Sequence, residues 1–213
     1  MKILFRVFLG TVIGIVIIST LLFLTFPKFI FADKLLERKG FFLITKGVKE
    51  YPFSIILEKG EIYGKNGRLI YFDKAVVTFS LKGLSLKIFC RGKSLEAYAG
   101  YFGKVELKFN GFSCLERVKL LKGKLTLGEG IFGRLEIEGL NFREVFLDKL
   151  SLNFKGKTFW GKISYMGFEL QGSGIVEMNR KDLMDSKVDG EFSSKAIKVK
   201  VQGTLRNLRI TVR

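Results

Sequence analysis

Apolar and polar residues alternate with a period of two along most of this chain from Tyr51 onward. The segments VELKF, residues 105–109, and KVKVQ, residues 198–202, are two examples. Successive side chains of a β-strand point to opposite faces of a sheet, so each segment predicts a strand with one dry and one wet face. Roughly twelve short strands are predicted in this way between Ser54 and Arg213. The chain is therefore expected to fold as a mainly β protein.

Tight turns are predicted between these strands, because glycine recurs throughout the chain. Asn66-Gly67 and Met166-Gly167 each separate two alternating segments, as in two-residue hairpins. The glycines between Gly128 and Gly133 also indicate a turn, since no helical pattern follows them to form a phosphate site. The alternation changes phase at Arg206-Asn207, which predicts a bulge or turn with a strand on either side. One helical turn is predicted at Asn179 to Ser186, with Asn179 as its cap.

Short connections of this kind predict an antiparallel, meander-type sheet. The pattern contains no helices that could cover such a sheet, so it must close as a sandwich or barrel, or curl into a trough. The chain has 22 phenylalanines, and Phe, Leu and Ile dominate the inward positions. A trough lined in this way would suit acyl chains, whereas a closed core would use the same residues to fill its interior. Periodicity leaves both alternatives open.

The basic residues near the C-terminus, within residues 197–213, belong to the same alternation. Lysines and arginines there occupy the polar phase of two amphipathic strands, which favours a solvated face over a dedicated basic binding surface. The whole chain carries 37 Lys and Arg against 20 Asp and Glu, a formal charge of +17. A charge of this size favours acidic partners such as anionic lipid headgroups. Nucleic acid is not expected as a partner, because the charge is spread over many strands.

Residues Val7 to Phe26 carry no charge over 20 positions and predict a transmembrane helix. A helix of this length spans ~30 Å, the thickness of the hydrocarbon core of a bilayer. Ile30-Phe31-Ala32 is a poor cleavage signal, so an uncleaved signal-anchor is favoured over a cleaved signal peptide. Residues 1–6 are then a short basic cytoplasmic tail. The C-terminal domain is expected in the periplasm, although a bare count of flanking basic residues favours the cytoplasm.

Gly10 and Gly14 form a GxxxG pair inside this apolar segment. Two glycines four residues apart lie on one helix face and allow a second helix to approach closely. They are therefore candidates for membrane-helix packing. The alternative is that both are incidental, since glycine is common in membrane helices.

Residues 27–50 are predicted to be a juxtamembrane linker, in which phenylalanines and leucines are mixed with basic residues. A short amphipathic helix on the lipid headgroups would suit this composition, and a plain linker is the alternative. The candidate headgroup contacts are Lys28, Lys34, Arg38 and Lys39. Residues 51–213 then form the β-rich domain.

No constellation of catalytic residues is found in the sequence. Histidine is absent, which excludes His-based triads and His metal sites. No nucleophile elbow, P-loop or dinucleotide-binding glycine pattern occurs. We therefore expect a protein that is not an enzyme and has no catalytic residues, no metal site and no cofactor.

Cys90 and Cys114 are the two cysteines of the chain. In an exported domain they could form one disulfide. Two unpaired thiols in half-buried strands are the alternative, and the spacing alone does not decide between them.

Three stretches carry a family resemblance: LTFPKFIFADKLLERKG after the apolar segment, LQGSGIVEMNRKDLMDS, and the terminal KVKVQGTLRNLRITVR. Together with one N-terminal helix and a glycine-punctuated run of strands, they resemble the type II secretion system protein N family. More distantly, they resemble the AsmA-like membrane proteins. The resemblance covers most of the chain in architecture.

The resemblance implies a single-pass inner-membrane protein with a periplasmic β-domain. Such a protein would be a non-enzymatic accessory or assembly component of a type II secretion apparatus for protein transport. Its expected partners are the inner membrane, other envelope or secretion-system proteins and phospholipid. The alternative is an AsmA-like module that binds or transfers lipid through an apolar β-trough.

Overall fold

The computed structural model describes residues 12–19, 21, 25–64, 67–101, 103–142, 145–179, 182, 185–194, 197–205 and 207–212. Fourteen strands of this part of the chain form one sheet, in which the order along the sheet is the order along the chain. The strands are β1 (Phe42–Tyr51), β2 (Ser54–Gly64), β3 (Gly67–Ser80), β4 (Gly83–Cys90), β5 (Lys93–Gly100), β6 (Val105–Phe112), β7 (Val118–Leu127), β8 (Ile131–Phe142), β9 (Val145–Gly156), β10 (Thr158–Tyr165), β11 (Phe168–Glu177), β12 (Lys187–Ser193), β13 (Lys198–Thr204) and β14 (Leu208–Val212).

The sheet is an open antiparallel meander. Every strand pairs antiparallel with the next strand along the chain, from β1–β2 to β13–β14. Within the described residues β1 and β14 are the two edges, and they do not pair with each other. The prediction of a mainly β, meander-type fold is therefore confirmed, and the open sheet replaces the sandwich and barrel alternatives.

The β-region begins earlier than the sequence predicted. β1 covers Phe42–Tyr51 and so lies almost wholly inside the stretch assigned to a linker, residues 27–50. Thr45 pairs with Gly60 while Gly47 pairs with Glu58, so one residue on each strand is passed over at this point. Leu43 and Val48, an odd and an even position on either side of this point, both pack against buried residues of the sheet, so the side chains change face within β1 and the period of two is hidden. Thirteen strands, rather than about twelve, follow residue 53.

Two turn predictions are confirmed by the pairing. Tyr165 pairs with Phe168, and Met166 and Gly167 between them have φ values of 50° and 82°. Both central residues with positive φ define the tight hairpin turn that matches strand twist. The phase change near Asn207 is the connection between β13 and β14. The helical turn near Asn179 lies partly outside the described residues, but the Asn179 side chain accepts the Asp182 N–H at 3.3 Å, as a cap does.

One helix packs beside the sheet. It is α1, Lys28–Arg38, and it ends where Gly40 adopts a φ of 80°. The Phe41 N–H donates to the Leu36 carbonyl at 3.0 Å and the Gly40 N–H to the Glu37 carbonyl at 2.8 Å. This pair of bonds is the Schellman motif, which satisfies carbonyls left over at a helix end.

Residues 12–19 are helical as well. In the stretches that the structure covers, no helix is both long enough and apolar enough to cross a bilayer. The predicted span, Val7 to Phe26, is described only in part. The membrane anchor therefore stays a prediction.

Candidate functional site

One face of the sheet carries an unbroken apolar row. The pairing register places fourteen residues, one from each strand, directly opposite one another. They are Glu50, Ile55, Val77, Leu86, Ala97, Leu107, Leu125, Gly133, Phe154, Phe159, Gly174, Gly190, Val201 and Ile210. Apart from Glu50, every member is apolar or glycine. We call this set the apolar row, and the face that carries it the apolar face.

The row next to it, displaced by one residue on each strand, lies on the opposite face. It contains mostly polar and charged residues, among them Thr78, Glu106 and Asp189. The alternation predicted from the sequence is therefore maintained across the whole width of the sheet. An apolar surface that runs over fourteen strands is the principal candidate site.

Two groups of buried residues lie on the apolar face. One is built on β2 to β6 and the connection after β6, around Ile55, Phe72 and Phe112. The other is built on β9 to β13, around Ile163 and Leu170. Among the described residues, no helix or second sheet covers either group, apart from α1, which packs through Phe29 against the first. Such low exposure on a sheet face requires the sheet to curl, so that side chains of different strands cover each other.

Phenylalanine rings lie over glycines on this face. The ring of Phe159 reaches from β10 across β11 to β12, where its centroid is 6.2 Å from that of Phe192. A Cβ atom added at Gly174 or Gly190 would lie 2.4 Å or 2.5 Å from the Cζ atom of Phe159. In the first half of the sheet, Phe72 has the same relation to Gly60. The glycines therefore provide the space into which the rings fold.

The connection between β6 and β7 closes one end of the first half of the sheet. The Tyr71 N–H of β3 donates to the Cys114 carbonyl at 3.0 Å, and the Glu116 N–H donates to the Leu69 carbonyl at 3.1 Å. Cys114 also forms a disulfide with Cys90 at the end of β4. The candidate disulfide of the sequence is therefore present in the structure, and it ties this connection to the end of β4, while the two hydrogen bonds hold it against β3.

Exposure along β4 rises away from the disulfide. On the apolar face, Cys90 is 0% exposed, Ile88 3% and Leu84 38%. On β4 the apolar face is therefore most tightly covered at the disulfide end and more exposed at Leu84, at the opposite end beside the β3–β4 turn. We call this more exposed end of β4 the mouth of the apolar face.

Ion pairs cover the polar face. They are Lys49–Glu58, Arg68–Glu61, Arg68–Glu116, Lys87–Glu96, Lys104–Glu106, Lys124–Glu106, Arg134–Glu136 and Lys198–Glu191. The hydrogen bond from Lys49 lowers the pKa of Glu58, and lysine hydrogen bonds lower the pKa of Glu96 and Glu106 in the same way. Exposed pairs of this kind contribute little each. They neutralise part of the basic face, which supports the interpretation of its lysines as a solvated surface.

Two further carboxylates tie neighbouring segments together. The Asp73 carboxylate accepts the Arg91 N–H at 2.7 Å and the Tyr71 hydroxyl at 3.0 Å. The backbone bond from Arg91 is the largest cause of the lowered pKa of Asp73, and Asp73 in turn raises the pKa of Tyr71.

Glu61 accepts the hydroxyl of Tyr63, and this bond is the main reason why the pKa of Glu61 is lowered and that of Tyr63 raised. Arg68 donates to Glu116 at 3.0 Å and to Glu61 at 3.1 Å. It therefore links β2 and β3 to the connection that closes the sheet, and these bonds, that to Glu116 first, raise the pKa of Arg68.

Glu50, the one charged member of the apolar row, binds the start of α1. Its carboxylate accepts the Lys28 N–H at 3.0 Å and the Phe29 N–H at 3.3 Å. Free N–H groups at a helix N-terminus and the positive end of the helix dipole both favour a carboxylate there. A carboxylate on the apolar face is therefore accommodated by the helix it caps.

The predicted headgroup contacts lie on or just after α1. Lys34, Arg38 and Lys39 are exposed, and Lys28 is half-buried at the helix start. Their contact with lipid stays a prediction. Gly14 lies in the helical residues 12–19, where an added Cβ would meet no atom within 4 Å, and its partner Gly10 lies outside the described residues.

Sequence reasoning missed three apolar hairpin tips. Leu81 at the β3–β4 turn is 99% exposed, Tyr101 after β5 is 71% exposed, and Phe53 at the β1–β2 turn is 61% exposed. Their only signal in the sequence is a large apolar residue inside a turn, where polar residues are usual. Across the described part of the chain, no group of three acidic or cysteine side chains could hold a metal ion.

The fold and the site together define a class of protein: a single open β-meander with one apolar face and one ion-paired face. No family model matches the chain, and no solved structure matches it. A protein of Aquifex aeolicus, described as an uncharacterized protein, is 42% identical over 206 residues, which is 97% of this chain and 94% of the relative. The chain therefore belongs to the same family as this Aquifex aeolicus protein.

Proposed function

We propose that this protein is a membrane-anchored, non-enzymatic envelope protein that binds the acyl chains of phospholipid on its apolar face. The observation that carries the proposal is the apolar row, which crosses all fourteen strands with one charged member. The carboxylate of that member, Glu50, is hydrogen-bonded to the first N–H groups of α1. An acyl chain that lies along the row meets no unpaired charge on the way.

Acyl chains fit this surface for an energetic reason. Each methylene group removed from water contributes about 0.8 kcal/mol, so a chain gains affinity in proportion to the length it lays on the face. On β5 and β6 the row passes Ala97 and Leu107, which are half-buried and belong to neither buried group. These residues and the mouth at Leu84 are the parts of the face at which a ligand gains most contact.

The proposal places the domain in the periplasm and the anchor, residues 7–26, in the inner membrane. It requires no cofactor and no catalytic group. An apolar sheet face open at one end suits a lipid-binding or lipid-transfer module, the function of the AsmA-like proteins that the sequence distantly resembles.

The test is native mass spectrometry of the full chain extracted from membranes in mild detergent. Co-purified phospholipid is expected on the wild type. Leu84→Glu should abolish most of it, because it adds a charge at the mouth, whereas Ser85→Glu, the next residue along β4 on the polar face, should leave it unchanged. A wild-type chain free of phospholipid, or equal loss in both variants, contradicts the proposal.

Lipid held around the anchor must be separated from lipid on the sheet. A phospholipid with a photoreactive group in its acyl chain, crosslinked to the full chain and mapped by mass spectrometry, makes this distinction. Crosslinks at Ala97 and Leu107 are expected on the apolar face. Crosslinks confined to residues before α1 would contradict the proposal.

A second candidate function is that of an assembly component of a type II secretion-like apparatus. The edge strand β14 favours it, since no further strand pairs with it in the described region. An edge of this kind can accept a strand from a partner protein. Crosslinking in cells through a photoreactive residue at Arg209, on β14, should capture an inner-membrane secretion component. Capture of no secretion-system protein would leave lipid binding as the function.

A further inference from the structure

Three hairpin tips lie together at the mouth end of the first half of the sheet. They are the β1–β2 tip (residues 51–53), the β3–β4 tip (residues 81–82) and the β5–β6 tip (residues 101, 103 and 104). Adjacent hairpins of a meander are ~10 Å apart, two strand spacings, so three of them form one edge. We call this edge the tip edge.

Hydrogen bonds hold the three tips together. The Phe79 N–H donates to the Phe53 carbonyl at 2.8 Å, which joins the first tip to β3. The Tyr101 hydroxyl donates to the Ser80 carbonyl at 2.9 Å, and the Tyr98 hydroxyl donates to the Lys82 carbonyl at 2.8 Å. The tip edge is therefore a built surface in which tyrosine hydroxyls fix the relative positions of the tips.

The tip edge exposes large apolar and aromatic side chains. Leu81 is almost fully exposed, and Tyr51, Phe53 and Tyr101 are exposed as well. Aromatic side chains with one polar end are typical of the boundary between water and lipid. Of the two charged residues at the edge, Lys104 pairs with Glu106 at 2.8 Å, and Glu50, next to the edge, is bound by α1. The other charged residue at the edge is Lys82, whose charge suits anionic headgroups.

The first residues of α1 lie at this same edge. Glu50, next to the β1–β2 tip, binds the first N–H groups of α1. Only Pro27 separates Lys28 from Phe26, the end of the apolar segment, a distance of at most ~7 Å. If residues 7–26 cross the bilayer, the tip edge therefore lies at its surface.

We propose that the tip edge inserts Phe53, Leu81 and Tyr101 into the headgroup region of the bilayer and stands the sheet upright on the membrane. This proposal rests on the anchor of the proposed function. It adds that the mouth at Leu84, three residues from Leu81, faces the bilayer surface. Phospholipid then reaches the apolar face from the membrane without crossing water.

The direction of α1 distinguishes insertion of the tip edge from a helix that lies flat on the membrane. α1 begins beside Glu50 and ends near the start of β1, so it runs antiparallel to β1 and away from the tip edge. Leu35, exposed on α1, lies ~10 Å along the helix from its start. Insertion of the tip edge keeps Leu35 in water, whereas a helix lying flat on the headgroups would bury it.

The test uses the full chain reconstituted into vesicles of equal parts phosphatidylethanolamine and phosphatidylglycerol. Because Cys90 and Cys114 are paired, the variants Leu81→Cys, Leu35→Cys and Met166→Cys each carry one free thiol for a polarity-sensitive fluorophore. Met166 is the matched control, since it is 74% exposed in the β10–β11 turn. This turn lies at the end of the strands opposite to the tip edge. Lipids with a nitroxide high in the acyl chain act as the quencher.

The emission of the fluorophore at position 81 should shift to shorter wavelength and be quenched by the nitroxide lipids. The fluorophores at positions 35 and 166 should show neither effect. Phe53→Asp in the Leu81→Cys background should abolish the quenching without touching the labelled residue. Quenching at Leu35 with none at Leu81 would overturn the proposal, as would equal quenching at Leu81 and Met166.

Alkaline carbonate extraction of the same vesicles tests the anchor separately. A chain that resists extraction but shows no quenching at Leu81 retains its anchor and overturns insertion of the tip edge. A chain that is extracted but shows quenching at Leu81 before extraction supports the tip edge and overturns the anchor. A chain that is extracted and shows no quenching at Leu81 overturns both the anchor and the insertion of the tip edge.

Discussion

At the scale of single residues, Asp73 shows how an exposed carboxylate stabilises this sheet. It binds the Arg91 N–H and the Tyr71 hydroxyl, and both bonds lower its pKa. A lowered pKa in the folded state gives stability that is present above the unfolded pKa of ~3.9 and is lost as the pH falls through the folded value. Asp73→Asn should therefore lower the free energy of unfolding at pH 7 by about 1 kcal/mol, a small value because the site is exposed.

Denaturant unfolding of the full chain, followed by circular dichroism at pH values between 7 and ~2, measures this effect. The difference between Asp73→Asn and wild type should shrink as the pH falls below ~4, because the unfolded wild type binds a proton there and the folded wild type follows at lower pH. Asp148→Asn, at an exposed carboxylate of β9, is the control and should change little. A difference that is the same at every pH would contradict the assigned role of the charge.

The glycines below Phe159 give a second prediction at this scale. Glycine to alanine within a strand ordinarily stabilises, by ~0.5–1 kcal/mol. Gly190→Ala should instead destabilise by about 1–3 kcal/mol, because the new methyl group would lie 2.5 Å from the Cζ atom of Phe159 and displace a buried ring. Thermal or denaturant unfolding measures the change.

Two comparisons test the cause of this loss. Gly128→Ala meets nothing within 4 Å and should be close to neutral. Phe159→Leu combined with Gly190→Ala should cost less than the sum of the two single changes, because the shorter side chain makes room for the methyl group. Additive effects would show that Phe159 and Gly190 do not interact.

At the scale of elements, the strands followed from the alternation wherever pairing is regular. β10 and β11 and their turn at Met166-Gly167 were predicted because nothing interrupts the period of two there. β1 was missed because its phase shifts beside Lys46, and a one-residue shift removes the pattern that identifies a strand. The sequence left the pairing of the two cysteines undecided for another reason. Cys114 approaches Cys90 only because its connection folds back onto β3, a long-range contact that spacing does not reveal.

The β6–β7 connection gives a prediction for one element. The disulfide encloses a separation of 24 residues, so its loss should cost about 3 kcal/mol through the entropy of the unfolded chain. Cys90→Ser with Cys114→Ser should also release the connection from β3. Hydrogen exchange should then accelerate at the amides of Tyr71 and Glu116, which bond across this junction. Amides of β10 and β11 serve as the internal control, and equal acceleration there would contradict a local role.

At the scale of the whole molecule, the apolar row carries the proposed function, and it was only half visible in the sequence. The period of two assigned apolar residues such as Leu107 and Val199 to one face of their strands. A curled sheet was one of the alternatives that the sequence left open, whereas the mouth near Leu84 and the tip edge were not predictable, since they depend on where strands bend and which hairpins meet. Leu81 continues the alternation of Val77 and Phe79 and was therefore assigned to the dry face of a strand, whereas the structure ends β3 at Ser80 and leaves Leu81 exposed in the turn.

The open meander also predicts how the molecule unfolds. Each strand pairs only with its neighbours, and the two groups of buried residues are built on separate stretches of the sheet. Stability in such an array is close to a sum of local terms, so damage to one group should stay local. Ile163→Ala removes a fully buried side chain of the second group and should cost about 2–5 kcal/mol there.

Hydrogen exchange of the full chain should therefore accelerate in β9 to β13 of Ile163→Ala and remain near wild type in β2 to β6. Ile88→Ala, an equally buried residue of the first group, should give the opposite pattern. The disulfide lies in the first group alone, so the second group should be the first to open in the wild type. If either variant accelerated exchange equally in both halves, the sheet would be one cooperative unit, and the division of its stability between two local groups would be wrong.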